Sequence, residues 1–296
     1  MEIFVTGGTG FIGRHLCRRL LEAGHGVTVL SRRDPSAARA LCGPVGVVRG
    51  LEALGEAEAV INLAGAPILG PRWSPRRKAE LRDSRVILTR KLVEAMGRLA
   101  RPPRVLLSAS AVGWYGDRGD EILDETAPPG EGFGAELCRD WEREAEAAAE
   151  SGTRVVLMRT GPVIGPGGGL LARLRWPFLL GLGGHQGSGC QWFSWIHLHD
   201  HIALQLFLLE RDDLAGPVNF TAPEPVTNLG FAETLAEVLR RPALITTPAP
   251  ILRLGLGEQA EILLGSQRVI PRRALEAGFE FQYPTLEPAL RQALGR

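Results

Sequence analysis

The sequence predicts an α/β fold in which helices cover both faces of a doubly wound parallel sheet. Short apolar runs recur through residues 1–160, and segments with helical periodicity lie between them. A glycine-rich turn follows the first apolar run. Buried parallel strands have this length and composition, and strands that alternate with helices build such a sheet.

Five segments are predicted as strands of this sheet because each is short and almost wholly apolar. They are residues 3–6, 27–30, 59–63, 105–107 and 155–158. Apolar residues spaced three or four apart predict the helices between them. The first such stripe, Ile12, Leu16 and Leu20, ends before Gly24, a glycine well placed to cap the helix. A second stripe runs through residues 137–148 and ends before Gly152.

The character of the chain changes after residue 160. Clusters of glycine and proline fill residues 161–190, and such clusters disfavour long regular elements. This segment is therefore predicted as a loop-rich lobe that covers the sheet. Helical patterning returns at residues 229–240 and 258–265, and a short helix is expected at 286–294.

The composition argues against several classes of protein. The 296 residues carry 34 Lys and Arg against 33 Asp and Glu, so the net charge of +1 provides no bulk attraction to nucleic acid or to an anionic membrane. No leader or bilayer-length apolar segment is recognisable, and we expect a cytoplasmic protein. Four cysteines are scattered without a C-x-x-C pair, which predicts neither a zinc site nor a disulfide framework.

A glycine-rich turn lies between the first predicted strand and the first predicted helix. It reads Thr6-Gly7-Gly8-Thr9-Gly10-Phe11-Ile12-Gly13. Such a turn lets the backbone approach a pyrophosphate, whose negative charge is favoured by the free N–H groups at a helix N-terminus. The turn therefore predicts a dinucleotide-binding site, and the alternative is a tight turn with a purely structural role.

The end of the second predicted strand bears on the choice between NAD and NADP. An acidic residue there would bind the ribose 2′-hydroxyl of NAD, whereas arginine accommodates the 2′-phosphate of NADP. Ser31 occupies the place expected for the acid, and Arg32 and Arg33 follow it. This pattern favours NADP(H) as the cofactor. The alternative is a solvated arginine pair with Asp34 as a displaced acid.

Several ordered motifs resemble the extended short-chain dehydrogenase/reductases. They are TGGTGFIG from Thr6, Asn62-Leu63-Ala64-Gly65, Ser108-Ala109-Ser110 and Trp114-Tyr115-Gly116. More narrowly, the chain resembles an epimerase-like NADP-binding subfamily of unsettled substrate. The motifs that carry this narrower likeness include SASAVGWYGD from Ser108, Arg159-Thr160-Gly161 and Trp195-Ile196-His197.

The resemblance implies a two-part architecture. A Rossmann dinucleotide-binding domain would span residues 1–160, and the chain would return to it near residues 191–222. A smaller C-terminal substrate domain would occupy most of residues 161–296. The resemblance also implies a small-molecule substrate and makes a homodimer plausible.

The same resemblance assigns cofactor contacts to particular residues. They are Gly7, Gly10, Phe11, Ile12 and Gly13 at the pyrophosphate, Ser31, Arg32 and Arg33 at the adenosine 2′-phosphate, and Leu63, Ala64 and Gly65 along the cofactor. Glu80 and Arg85 lie on a predicted helical segment, 75–99, that borders the cofactor in this subfamily. Arg85 is expected to add a charged contact, and the alternative is a solvated pair on the helix surface.

The usual catalytic set of the superfamily is incomplete in this chain. These enzymes use a serine, a tyrosine as general acid, and a lysine four residues later that lowers the tyrosine pKa. No Tyr-x-x-x-Lys occurs anywhere, and Phe133 and Leu137 stand at the approximate positions of that pair. Ser110 matches the serine and is expected to orient a substrate oxygen.

Tyr115 is the natural substitute for the missing proton donor. It is therefore predicted as a catalytic residue together with Ser110. The alternative is a structural aromatic side chain in a loop. Glu136, Cys138 and Asp140 lie near the lost pair and remain unranked alternatives.

Three histidines, His197, His199 and His201, alternate around Asp200. On a strand they would share one face and suggest a metal, but nothing nearby completes a ligand set. The resemblance instead makes this segment a structural junction where the chain returns to the Rossmann domain. No metal is expected there.

Two functional hypotheses follow from these patterns. The first is an NADP(H)-dependent oxidoreductase or epimerase-like enzyme that acts on a small carbonyl or hydroxyl compound, because the cofactor supplies the hydride chemistry. The second is a non-catalytic NADPH-binding sensor or scaffold, because the usual acid is missing. Retention of Ser110 favours the enzyme. Nucleotide-sugar epimerisation normally uses the missing pair and is disfavoured.

Overall fold

The structure, a computed structural model, describes residues 1–296 and is built on a seven-stranded parallel sheet. The strands of the chain are β1 (Glu2–Thr6), β2 (Gly26–Leu30), β3 (Gly46–Val48), β4 (Ala59–Asn62), β5 (Val105–Ala111), β6 (Ile122–Leu123), β7 (Arg154–Thr160), β8 (Val163–Ile164), β9 (Trp192–Phe193), β10 (Ile196–His197), β11 (Gly216–Phe220), β12 (Val226–Thr227) and β13 (Arg268–Val269). The large sheet has the order β11-β7-β5-β4-β1-β2-β3, and every neighbouring pair in it is parallel.

Twelve α-helices connect and cover these strands. They are α1 (Phe11–Glu22), α2 (Pro35–Cys42), α3 (Pro75–Arg82), α4 (Leu88–Gly97), α5 (Phe133–Glu146), α6 (Gly169–Leu179), α7 (Leu198–Glu210), α8 (Asn228–Leu239), α9 (Ala249–Leu256), α10 (Glu261–Leu264), α11 (Arg272–Glu276) and α12 (Leu286–Leu294). A π-helical turn, Asp83–Ile87, joins α3 to α4. None of these helices combines the length and apolar character that a membrane span requires.

The sheet confirms the predicted doubly wound α/β fold. All five predicted strands are present as β1, β2, β4, β5 and β7. The chain adds two more strands, a short β3 at one edge and β11 at the other. The segment 191–222 returns to this sheet. Its strand β11 pairs with β7 at the sheet edge, and the helix α7 precedes that strand.

Apolar side chains bury both faces of the sheet. On one face, Leu16 of α1 and Leu204 of α7 belong to a cluster that also contains Val5 of β1. On the other face, Leu92 of α4 and Ala145 of α5 pack with Phe4 of β1. Alternate residues of β1 thus enter opposite layers, as the two-residue period of a strand requires.

The C-terminal lobe has its own apolar core, and its structure corrects the prediction that residues 161–190 are loop. Residues 161–190 are not loop throughout, because α6 spans Gly169–Leu179. The glycine clusters flank a run without glycine that begins at Leu170, and Leu171 and Phe178 bury the inner side of the resulting helix. α6, α8 and α12 together form the apolar core of this lobe.

Candidate active site

The glycine-rich turn after β1 forms a cradle that has no room for a Cβ atom at Gly7 or Gly13. Gly7 has a φ of +70°, and a Cβ atom there would lie 2.6 Å from the Leu63 carbonyl carbon. A Cβ atom on Gly13 would lie 2.4 Å from the Gly7 carbonyl oxygen. These glycines are needed because backbone approaches backbone at both points.

Free backbone donors line the same turn. The first helical hydrogen bond of α1 runs from the Arg14 N–H to the Gly10 carbonyl oxygen. The preceding N–H groups of Phe11, Ile12 and Gly13 therefore have no acceptor within the helix, and no side chain caps this terminus. A helix start with exposed donors and the positive end of the helix dipole is suited to a phosphate.

The cradle lies at the point where the strand order reverses. From β1 the chain proceeds to β2 and β3 on one side and then crosses to β4 on the other. The Thr6 hydroxyl at the end of β1 donates to Asn62 Oδ1 at the end of β4 (2.6 Å) and accepts from the Ala64 N–H at 3.3 Å. Open α/β sheets bind their ligands in the crevice outside such a switch point. The predicted cofactor residues Leu63 and Ala64 follow β4 beside the cradle, since a Cβ atom on Gly7 would lie 2.6 Å from the Leu63 carbonyl carbon and 2.8 Å from the Ala64 nitrogen.

The end of β2 presents two arginines without acidic partners. Ser31 is buried, and its Oγ accepts a hydrogen bond from the Arg33 N–H at 3.1 Å. Arg32 and Arg33 are exposed, and neither forms an ion pair. Asp34 instead caps α2 by accepting from the Ser36 N–H at 2.9 Å, and the hydrogen bonds from Ser36 lower the pKa of Asp34. Its carboxylate is therefore part of a helix cap.

Arg85 and Glu80 are both predicted on the helical segment 75–99, but they have different surroundings. Arg85 contacts the segment after β4, and Glu80 pairs with Arg77 on the helix surface. The π-helical turn carries Arg85 to the β4 end, where its guanidinium donates to the Ala66 carbonyl at 2.9 Å. A Cβ atom on Gly65 would lie 3.0 Å from the same guanidinium, and burial lowers the pKa of Arg85. Glu80 is exposed and pairs with Arg77 at 2.7 Å. The structure brings Arg85 to the predicted cofactor segment and leaves Glu80 on the helix surface.

Ser110 belongs to a buried ionic network. Its hydroxyl donates to Glu142 Oε1 at 2.5 Å, and the Arg159 guanidinium donates to both oxygens of that carboxylate at 2.9 Å. Glu142 and Arg159 are each 3% exposed. A carboxylate can only accept hydrogen bonds, so the Ser110 proton points to Glu142 and the free lone pairs of Oγ are left to accept.

Tyr115 is enclosed by the same network. It is fully buried, and its hydroxyl donates to Asn219 Oδ1 at 2.7 Å and accepts from Arg159 Nη1 at 3.2 Å. Burial raises the pKa of Tyr115 to about 12, because the nearby guanidinium only partly offsets the desolvation of a phenolate. This geometry favours a structural role for Tyr115 over the predicted catalytic role, because its hydroxyl already donates a hydrogen bond inside the protein.

The positions of the missing catalytic pair are apolar and packed. Phe133 and Leu137 are buried in one cluster with Trp141, and Trp73 meets the Phe133 ring edge-on at 4.9 Å. Apolar contacts therefore take the place of the hydroxyl and the ammonium group.

The three unranked alternatives near this pair are also engaged. Glu136 and Asp140 both pair with Arg82. Cys138 donates to the Ala111 carbonyl at 3.7 Å, and burial raises the pKa of this thiol to about 12. None of these side chains is an unpaired acid.

The histidine segment begins a helix and is not a strand. His197 caps α7, since its Nδ1 accepts from the His199 N–H at 3.2 Å, and its Nε2 meets Gln292 at 2.9 Å. Asp200 accepts hydrogen bonds from the Gln282 and Tyr283 N–H groups. No group of three or more His, Cys, Asp or Glu side chains in the structure is arranged to hold a metal ion.

Sequence reasoning missed the partners of Ser110 and Tyr115. Glu142 follows Trp141 on α5 and lies between Cys138 and Ala145 in its apolar stripe. A carboxylate within an apolar stripe is a signal for a buried, paired charge. Arg159 belongs to the Arg159-Thr160-Gly161 motif, and its guanidinium is the cation that neutralises this carboxylate.

Comparisons with known proteins agree with the fold and the motifs. Residues 3–221 match the model of the NAD dependent epimerase/dehydratase family, and residues 247–293 match a domain of unknown function. The epimerase family protein SDR39U1 homolog, chloroplastic, of Arabidopsis thaliana is 41% identical over 98% of this chain and 86% of its own length. An epimerase family protein of Mycobacterium tuberculosis is 40% identical over 99% of this chain and 98% of its own length.

A solved structure is similar over the whole length. The crystal structure of human epimerase family protein SDR39U1 (isoform 2) with NADPH covers 100% of both chains with a TM-score of 0.92 at 36% identity. These matches confirm the epimerase-like resemblance found in the motifs.

Proposed function

The chain belongs to the NAD dependent epimerase/dehydratase family, and we propose that it is an NADP(H)-dependent oxidoreductase. Its substrate would be a small carbonyl or hydroxyl compound. The bound cofactor would donate or accept the hydride. The chain would bind and orient the substrate and exclude water from it.

One observation carries this proposal: free N–H donors begin α1 beside glycines that admit no Cβ atom, and the end of the neighbouring strand β2 presents two arginines without acidic partners. We assign the pyrophosphate to the N–H groups of Phe11, Ile12 and Gly13. Arg32 and Arg33 would bind the 2′-phosphate, since neither has a carboxylate partner. The human relative described with NADPH, 36% identical over its full length, supports the same cofactor here.

The residues at the reacting end would position the substrate. Ser110 would accept a hydrogen bond from a substrate hydroxyl, because its own proton is held by Glu142. Phe133 and Leu137 would form an apolar wall that excludes water. We assign Tyr115 a structural role because its hydroxyl is bonded to Asn219 and Arg159.

A non-catalytic NADPH-binding sensor or scaffold is the second candidate. The observation that favours it is the commitment of both predicted catalytic hydroxyls to internal acceptors. Phe133 and Leu137 stand in place of the usual tyrosine and lysine, so the phenol that normally transfers the proton is missing.

Nicotinamide fluorescence tests the proposal directly. Titration with NADPH and NADH should show tighter binding of NADPH, and Gly10→Val should remove binding of both. This variant is suitable because Gly10 has an ordinary φ of −76° and a Cβ atom there meets only the Gly7 carbonyl oxygen at 3.1 Å.

A panel of small carbonyl compounds is then added to the NADPH complex. Oxidation of NADPH supports the enzyme, and tight binding without turnover supports the sensor.

A further inference from the structure

A lysine of the sheet domain and a glutamate of the C-terminal segment form an ion pair beside the active site. Lys78 of α3 places its Nζ at 2.7 Å from Glu258 Oε1 and at 2.5 Å from Oε2. The same Nζ lies 4.8 Å from the centroid of the Phe133 ring, over its face. We name the group of Trp73, Lys78, Phe133 and Glu258 the Lys78 site.

The Lys78 site lies at the edge of the sheet where ligands bind in this fold. Phe133 and Trp73 pack in one cluster with Ala66, which follows β4, and with Ala109 near the end of β5. Both residues lie at the carboxyl ends of parallel strands. The site therefore borders the crevice that holds the predicted cofactor segment Leu63–Gly65.

Two cations without an acidic partner lie on the approach to α3 and in its first turn. The α3 helix and its approach carry Arg72, Arg76, Arg77, Lys78 and Arg82. Arg77 and Arg82 have acidic partners next to them on the sheet domain, whereas Arg72 and Arg76 form no ion pair. Arg72 and Arg76 are therefore the cations of this segment that no carboxylate neutralises, and they favour an anionic ligand nearby.

Glu258 already shows which anion Lys78 accepts. Its carboxylate contacts the ammonium through both oxygens, yet its side chain is 41% exposed. An exposed pair of this kind contributes little to stability, so a ligand can displace it at small cost. The neighbouring main chain is anchored, because Gln259 is buried and its amide donates to the Ile68 carbonyl at 2.8 Å. Only the Glu258 side chain has to rotate.

We propose that the substrate carries a carboxylate, which replaces Glu258 at Lys78 while its apolar body packs on the half-buried ring of Trp73. The proposal rests on the proposed function, because it names the substrate class for the same sheet edge. Lys78 is thus a specificity-determining residue, and Glu258 is an internal carboxylate that holds the site until a ligand enters.

The chain contains only two lysines, which allows a direct test without turnover or cofactor. Protein labelled with carbon-13 lysine gives two Cε signals, and the signal that disappears in Lys78→Met identifies Lys78. Benzoate should shift this signal saturably at constant ionic strength, whereas the neutral analogue benzamide should not. Glu258→Gln should raise the affinity for benzoate about twofold to fivefold, since it removes the competing carboxylate. Lys78→Arg keeps the charge and should still bind benzoate, as read from Trp fluorescence.

Lys91 provides the matched control. It is exposed on α4 and forms no ion pair, so its signal should not respond to benzoate, and Lys91→Met should bind benzoate like the unmodified protein. The proposal is overturned if benzamide and benzoate shift Lys78 equally, if Glu258→Gln gains no affinity, or if inorganic phosphate binds Lys78 more tightly than benzoate. Because no cofactor is present, failure here is distinct from failure of NADPH binding.

Discussion

The Ser110 hydroxyl donates a hydrogen bond to Glu142 at 2.5 Å, and the Arg159 guanidinium donates two hydrogen bonds of 2.9 Å to the same carboxylate. Ser110 and Arg159 are register partners on β5 and β7, so the sheet itself sets their spacing. α5 supplies the carboxylate that joins them. The Ser110 proton is therefore held by a buried network, and the remaining lone pairs of its oxygen can only accept.

Replacement of Glu142 by glutamine should destabilise the fold strongly. The amide leaves the buried Arg159 guanidinium without its counter-ion, and loss of one partner of a buried pair typically costs about 3–5 kcal/mol. The measurement is the free energy of unfolding in urea. Glu144→Gln on the same helix is the control, because it pairs with a half-exposed Arg90 and should cost far less. Equal losses for the two variants would contradict the assigned role of the network.

Tyr115→Phe should affect stability more than turnover. It removes the donor to Asn219 Oδ1 and one acceptor of Arg159, and an unsatisfied buried group costs about 1–3 kcal/mol. Turnover of any carbonyl compound found in the NADPH screen should change less than about threefold. General acid catalysis is typically worth about 10²–10⁴-fold, so a loss of two decades would restore Tyr115 as the proton donor.

The sequence was informative where function depends on local pattern. The glycine turn, the strand ends and the arginine pair each lie within a few residues, and periodicity or turn chemistry identifies them. The Ser110 network joins residues 32 and 17 positions apart, and it depends on strand register and on the angle of α5, which no local pattern encodes. α6 was missed because glycine clusters lie on either side of it and Pro177 lies inside it, and both features disfavour a helix in a sequence pattern.

Arg32→Ala should weaken NADPH binding roughly tenfold to a hundredfold and leave NADH binding nearly unchanged. The reason is that a charge-assisted contact to the 2′-phosphate exists only with NADPH. Fluorescence titrations with both cofactors measure the difference. Arg98→Ala, an exposed arginine at the end of α4, is the control and should change neither. An equal loss for NADPH and NADH would contradict the assignment of Arg32 to the 2′-phosphate.

The fold should lose stability as the pH falls below about 6.5. Burial lowers the pKa of His201 to about 3 and that of His197 to about 4, so both stay neutral in the folded chain while the unfolded chain takes up protons. Their contribution is fully present above the unfolded pKa and is lost progressively between about pH 6.5 and these folded values. Each group adds a slope of up to about 1.4 kcal/mol per pH unit. Urea unfolding across pH 4–8 should show a smaller slope for His201→Gln than for the unmodified protein, and equal slopes would contradict this assignment.

Phe133→Tyr should create a phenol beside an existing cation. The Lys78 ammonium lies 4.8 Å from the centre of the Phe133 ring, so a hydroxyl added to this ring gains a positive neighbour without the buried Leu137→Lys change. A nearby positive charge favours the phenolate and lowers the tyrosine pKa. Absorbance at alkaline pH should reveal one additional tyrosine above a background of only Tyr115 and Tyr283, and the cation should partly offset the rise in pKa that burial causes at this position. Lys78→Met in the same background should raise that pKa further, while the Arg82 guanidinium, 5.5 Å from the ring centre, keeps part of the offset. If the site is otherwise assembled for hydride transfer, Phe133→Tyr should also raise turnover at least tenfold with unchanged NADPH affinity. Phenol ionisation as expected, with NADPH bound and no turnover in either form, would favour the non-catalytic NADPH-binding protein.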